Sequence, residues 1–146
     1  MTELTRLEVD ALKAALDDEY QAFATYDQVV RDFGEVRPFI NIRDAEARHI
    51  AALRVIFERH GLPVPASTWP GRVKRYRRLR EACADAVDAE IANAALYERL
   101  MASTHRDELL TVFGNLRDAS QQRHLPAFQR CLGAGRHRRH ASGLYG

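Results

Sequence analysis

Cysteine is nearly absent: Cys83 and Cys131 are the only two among 146 residues, and no CxxC pair occurs. A disulfide scaffold, a zinc ribbon and a rubredoxin-type iron site are thereby excluded. Glycine and proline are scarce, eight and five, and none of the glycine-bearing patterns GxGxxG, GxxxxGKS/T or GxSxG is present. Dinucleotide, P-loop and serine-hydrolase readings lose their support. No apolar run approaches the ~18 residues of a membrane span, and the opening MTELTRLEVDAL lacks the basic-then-apolar order of a secretory leader, so the chain reads as cytoplasmic. An excess of one charge is lacking as well, since the net charge is +2, which gives no general case for nucleic acid or an anionic membrane.

What is there is hydrophobic patterning and a hidden segregation of charge. A 46% hydrophobic fraction gives a chain of this length one domain with a real core. Residues 1–60 hold 8 basic and 12 acidic side chains, 61–80 hold 6 and 0, 81–132 hold 5 and 8, and 133–146 hold 3 and 0. A basic connector therefore splits two acidic blocks, and it reads as a solvated face balancing them. Within the blocks apolar residues recur at alternating threes and fours, as in Leu12, Leu16, Phe23, Tyr26 and Val30, or Leu109, Phe113 and Leu116. That spacing is one face of a helix in a bundle.

The pattern predicts an all-α four-helix bundle over 1–132, with helices at roughly 5–33, 37–60, 76–103 and 106–132 and a basic, disordered tail over 133–146. Short links near Gly34 and Thr104 make each helix pair an antiparallel hairpin. The connector from Gly61 to Arg75 can extend to ~50 Å, longer than the ~39 Å of a 26-residue helix. It can cross the whole bundle and start the third helix beside the second, in parallel.

Polar residues interrupt the seams where leucine is expected: Glu19, Glu46 with His49, Glu90, and His124. A carboxylate buried without a partner costs several kcal/mol, and a bound cation supplies the compensation. A spacing of three puts Glu46 and His49 on one helix face, within reach of one metal. The two halves also repeat. Glu19 and Tyr26 match Glu90 and Tyr97 at an offset of 71, Asn41–Ala45 matches Asn115–Ala119 at 74, and Arg48–Ile50 matches Arg123–Leu125 at 75. Two related hairpins give a site with pseudo-twofold symmetry. The change of offset marks one inserted residue in the fourth helix, which with Pro126 predicts a π-bulge or kink over 119–126.

The order Glu, Glu-x-x-His, long crossover, Glu, x-x-x-His resembles the ferritin-like superfamily, which includes bacterioferritins and rubrerythrins. The stretches DEYQAFATYDQVV, VRPFINIRDAEARHIAAL, GLPVPASTWPGRV, AEIANAALYERL and HLPAF are similar to a bacterial family of ferritin-like domains of unknown function, over about residues 8–132. The resemblance implies ferritin-like topology, and metal ligands at Glu19, Glu46, His49, Glu90 and His124. It also implies a di-iron or iron/manganese centre that oxidises Fe(II) with O2 or peroxide. The superfamily places a glutamate three residues before the last histidine, where this chain has Gln121; the internal repeat points instead to Ser120. Gln121 is a weak candidate ligand, and one ion rather than two is an open alternative.

Tyr26 and Tyr97 are the candidate catalytic residues, as hydrogen-bond donors to ligand carboxylates or as redox groups. Cys83 and Cys131 fall at the same end of the bundle and are expected as reduced core thiols, a redox-responsive disulfide being the alternative. Metal ions are the expected partners and homodimer formation is left open. A rival reading is a non-enzymatic bundle with a metal-free polar core that serves as an interaction module.

Overall fold

The computed structural model describes residues 3–133. The expected tail, apart from Gly133, lies outside the described residues. Four helices make up the fold, with no strand among the described residues: α1 (Arg6–Phe33), α2 (Phe39–Arg59), α3 (Leu79–Met101) and α4 (Asp107–Ala119). A π-helical turn, Ser120–His124, follows α4, and the helix then resumes over 125–133.

Local chemistry sets the helix ends. Thr5 and Glu8 form a reciprocal capping box at the start of α1, each side chain meeting the other's backbone N–H at 3.1 and 2.9 Å. Gly34 ends the helix at φ 92°, a conformation that a side chain would strain. The third helix starts at Leu79, three residues later than the sequence pattern predicts. Lys74 and Tyr76 are drawn instead to the Asp85 carboxylate at 3.1 and 2.9 Å, which keeps the end of the connector extended along the helix.

Pairings between helices give their directions. Glu8 meets Thr104, Glu19 meets Tyr97 and Tyr26 meets Glu90, so α3 runs antiparallel to α1. His60 meets Glu108 and Glu46 meets His124, so α4 runs antiparallel to α2. The second and third helices therefore point the same way, as the long connector predicts. Their expected side-by-side packing is not found: α3 packs on α1, and α2 stands across the bundle from it. The connector runs along α1, with Tyr20 donating to Pro65 O, Trp69 to Asp17 and Arg75 to Asp32. Its basic residues are thus partly consumed by α1 and α3 carboxylates, in line with a balancing face.

Two apolar plugs fill the bundle. One holds Leu12, Leu16, Leu53, Phe57, Tyr97, Leu109 and Phe113; the other holds Tyr26, Val29, Phe39, Ile42, Cys83 and Phe128. Each fully buried Leu or Phe contributes about 1.5–3 kcal/mol. Between the plugs lies a polar layer, into which each plug sends one tyrosine. No described helix is long and apolar enough to cross a membrane.

The thiols depart from expectation. Cys83 and Cys131 are joined in a disulfide with Cα atoms 6.1 Å apart. The antiparallel pairing of α3 with the fourth helix puts both residues at one level, within the reach of such a bond.

Candidate metal centre

The polar layer is built from one level of all four helices. Glu19, Glu46, Glu90 and His124 are at most 3% exposed and His49 is half-buried. Their convergence follows the seam spacing of the sequence.

The arrangement has an approximate twofold. On one side Glu19 Oε2 faces His49 Nδ1 at 3.4 Å, and Tyr97 donates its hydroxyl to Glu19 Oε1 at 2.5 Å. On the other side Glu90 Oε1 faces His124 Nδ1 at 3.0 Å, and Tyr26 donates to Glu90 Oε2 at 2.7 Å. Each outer carboxylate thus has one oxygen fixed by a tyrosine and the other turned towards a histidine. Glu46 stands between, with Oε2 3.5 Å from His49 Nδ1 and Oε1 3.1 Å from His124 Nδ1. The two imidazoles stack with centroids 5.5 Å apart. Of the three carboxylates only Glu46 reaches both histidines.

The π-helical turn completes the fourth helix's share. Its Leu125 N–H bonds to Ser120 O, five residues back, and so absorbs the inserted residue. Ser120 and His124 both face inward as a result. This is the bulge that the offset change predicts. Gln121, by contrast, is exposed and takes no part in the centre. The reason is angular: the turn gives the inward position to Ser120, and its neighbour rotates to solvent. Ser120, the repeat's counterpart of Glu46, donates to Asn93, and Asn93 donates to Asp18.

Charge is concentrated and sparsely compensated here. Burial, followed by the nearby Glu46 carboxylate, pushes the Glu19 pKa up to about 8. Burial disfavours a charged His49, but Glu19 and Glu46 outweigh it and hold its pKa at about 9. His124 likewise stands at about 9, with Glu46 and Glu90 overcoming its burial. Burial also raises Glu46, yet hydrogen bonding with Glu19 and both histidines carries it below the usual carboxylate range. Tyr26 and Tyr97 are held well above the ordinary phenol value by burial and then by the carboxylates they face, so they remain hydroxyl donors. Burial lifts Asp18 to about 6 against the pull of Asn93.

These donors suit a cation. Glu19, Glu46 and His49 offer ligand atoms within 4.8 Å of one another, and so do Glu46, Glu90 and His124. Glu19 Oε2 is buried without a hydrogen-bond partner, a state that costs free energy unless something else meets that oxygen. Mixed carboxylate and imidazole donors match iron and manganese. The repeat pointed to Ser120, but Asp18 and Asn93 were not singled out by the sequence pattern. The available signal was Asn93, a polar residue three after Glu90 where the repeat has Ala22.

No protein-family model matches this chain, and no curated protein matches it. Two solved structures do. A hypothetical protein from Methanococcus jannaschii superposes with a TM-score of 0.80 at 18% identity, covering 92% of this chain and 84% of that one. A conserved hypothetical protein from Mycobacterium tuberculosis gives 0.76 at 16% identity, covering 88% of this chain and 92% of that one. At these identities the likeness is one of fold.

Proposed function

We propose that this chain is a ferritin-like metal-binding protein that holds iron or manganese on Glu19, Glu46, His49, Glu90 and His124. The observation that carries the reading is Glu46 standing between two Glu–His pairs, one of which includes Glu19 Oε2, a buried oxygen that no hydrogen bond satisfies. The order of helix directions and the long connector agree with ferritin-like topology.

A redox metal held there would supply oxidation of Fe(II) by O2 or peroxide, with Fe(II) as the substrate. The chain's own residues have three tasks in this reading. Glu46 is shared by the two positions, and Glu19 and Glu90 each serve one. His49 and His124 offer Nδ1, which must lose its proton before it can ligate. Tyr26 and Tyr97 orient the outer carboxylates, so each turns a chosen oxygen inward. With Ser120 in place of a fourth carboxylate, the two positions would share the three carboxylates Glu19, Glu46 and Glu90.

One observation favours the rival, a metal-free polar core: each imidazole already faces two carboxylates at 3.0–3.5 Å. Metal quantification by mass spectrometry separates the two readings. Untagged protein from iron- or manganese-supplemented cells should carry between one and two ions per chain, falling below about 0.2 in Glu46→Ala. Less than about 0.2 in the unaltered protein would establish the metal-free core.

A further inference from the structure

A cleft of about 450 Å³ lies between α1, α3 and the connector's 69–76 stretch, and of the five centre residues it touches Glu90 alone. That volume is in the range of pockets that take small organic ligands. The cleft has a sequence origin: facing positions on α1 and α3 are Ala22, Ala82, Ala86 and Ala89, too short to fill the gap that leucines would close. Trp69 and Tyr76 of the connector add aromatic surface, and the buried Tyr26–Glu90 pair forms the inner wall.

Apart from Gln21 and Thr25, the uncharged polar side chains along the cleft are already engaged. Asn93 donates to Asp18, Tyr26 to Glu90, the Trp69 indole to Asp17, and Lys74 and Tyr76 both to Asp85. The remaining charged lining residues, Arg72 and Asp88, are exposed to water and opposite in sign. An ionic ligand would meet only those two at the water-exposed mouth, and further in it would have to break one of these pairs. An uncharged one displaces only water from alanine, valine and aromatic surface.

We propose that this cleft binds a small uncharged organic molecule with an aromatic or aliphatic body, its inner end against Tyr26 and Glu90. The occupant would approach the Glu90–His124 half of the polar layer and not the Glu19–His49 half. That consequence rests on the metal-centre reading; the binding itself does not.

Trp69 is the chain's single tryptophan and lines the cleft, so it reports occupancy directly. The full chain is titrated with N-phenyl-1-naphthylamine, an uncharged dye that accepts tryptophan emission, and with 1-naphthalenesulfonate as the anionic control. Saturable quenching of Trp69 by the dye, with sensitised dye emission and binding at least about tenfold tighter than the sulfonate, is the expected result. Ala22→Phe and Ala89→Phe, which fill the cleft from opposite walls, should each weaken the dye by about tenfold or more, while Ala95→Phe on the exposed face of α3 should not. Melting curves confirm that each variant folds. No saturable binding up to the dye's solubility overturns the proposal, as do equal binding of the sulfonate and indifference of a folded filling variant. Metal content measured on the same samples keeps the two readings apart, since loss of dye binding with metal retained counts against the cleft alone.

Discussion

Tyr26 of α1 donates its hydroxyl to Glu90 of α3, and Tyr97 of α3 donates to Glu19 of α1, so each hairpin's tyrosine orients the other hairpin's carboxylate. The exchange follows from antiparallel packing: a tyrosine seven residues after its glutamate lies two turns along the helix, at the level of the partner's glutamate. Tyr26→Phe should weaken metal binding at the Glu90–His124 position and Tyr97→Phe at the Glu19–His49 position. Tyr26→Phe should cost about 1.5–3 kcal/mol of stability, the worth of a hydrogen bond to a charged group, and Tyr97→Phe about 0.5–1.5 kcal/mol in metal-free protein below pH 8, where Glu19 keeps its proton. Stepwise metal titration and urea denaturation of both variants check this.

Ser120→Glu restores the carboxylate that the internal repeat leaves out. In metal-stripped protein the added buried charge lacks a partner, since Asn93 is bonded to Asp18, and the melting temperature should drop. With metal added the order should reverse, and occupancy should move closer to two ions per chain. Calorimetry with and without metal, beside mass spectrometry, reads both arms.

Alkaline conditions should destabilise the metal-stripped protein. Glu19 titrates at about 8 when folded, above the ordinary 4.5, so the folded state holds the extra proton and stability falls as pH rises through that interval. His49 and His124, raised from 6.5 to about 9, add a loss between those values. The melting temperature should therefore decline from pH 5 to 9 without metal. Metal binding should release protons and tighten as pH rises over the same range, which calorimetric titration in buffers of different ionisation heat measures.

At the far end of α1, Glu8 is buried against Thr104 and Arg106, and the Thr104 hydroxyl, the Thr5 backbone and Arg106 hold its pKa at about 2. A depressed carboxylate stabilises above its unfolded value, and the benefit is lost as pH falls from about 4.5 to 2. Glu8→Ala should cost about 1.5–3 kcal/mol at pH 6 and much less at pH 2, by urea denaturation.

The polar layer was legible because helical spacing projects directly onto the bundle axis: Glu19, Glu46, His49, Glu90 and His124 share the period of the leucines around them. The π-helical turn was legible as well, because an insertion inside a repeat must be absorbed without rotating the ligand behind it. Gln121 was misplaced by the same one-residue ambiguity, which only the geometry of the turn resolves in favour of Ser120. Glu8 lies beside Val9, and its burial depends on Arg106 nearly a hundred residues away. Which helix α3 would pack against depends on tertiary pairing that no local spacing encodes, whereas spacing put Cys83 and Cys131 at one end of the bundle without deciding between free thiols and a bond. Thiol titration of unfolded protein should find no reactive cysteine before reduction and two after it.

In the proposed function Glu46 is shared by two metal positions, and anomalous diffraction at the iron edge, from crystals of iron-loaded protein, decides whether it is. Two peaks should flank the Glu46 carboxylate, one beside Glu19 and His49 and the other beside Glu90 and His124. A polar layer with no anomalous peak, and Glu46 hydrogen-bonded only to the two imidazoles, would contradict it.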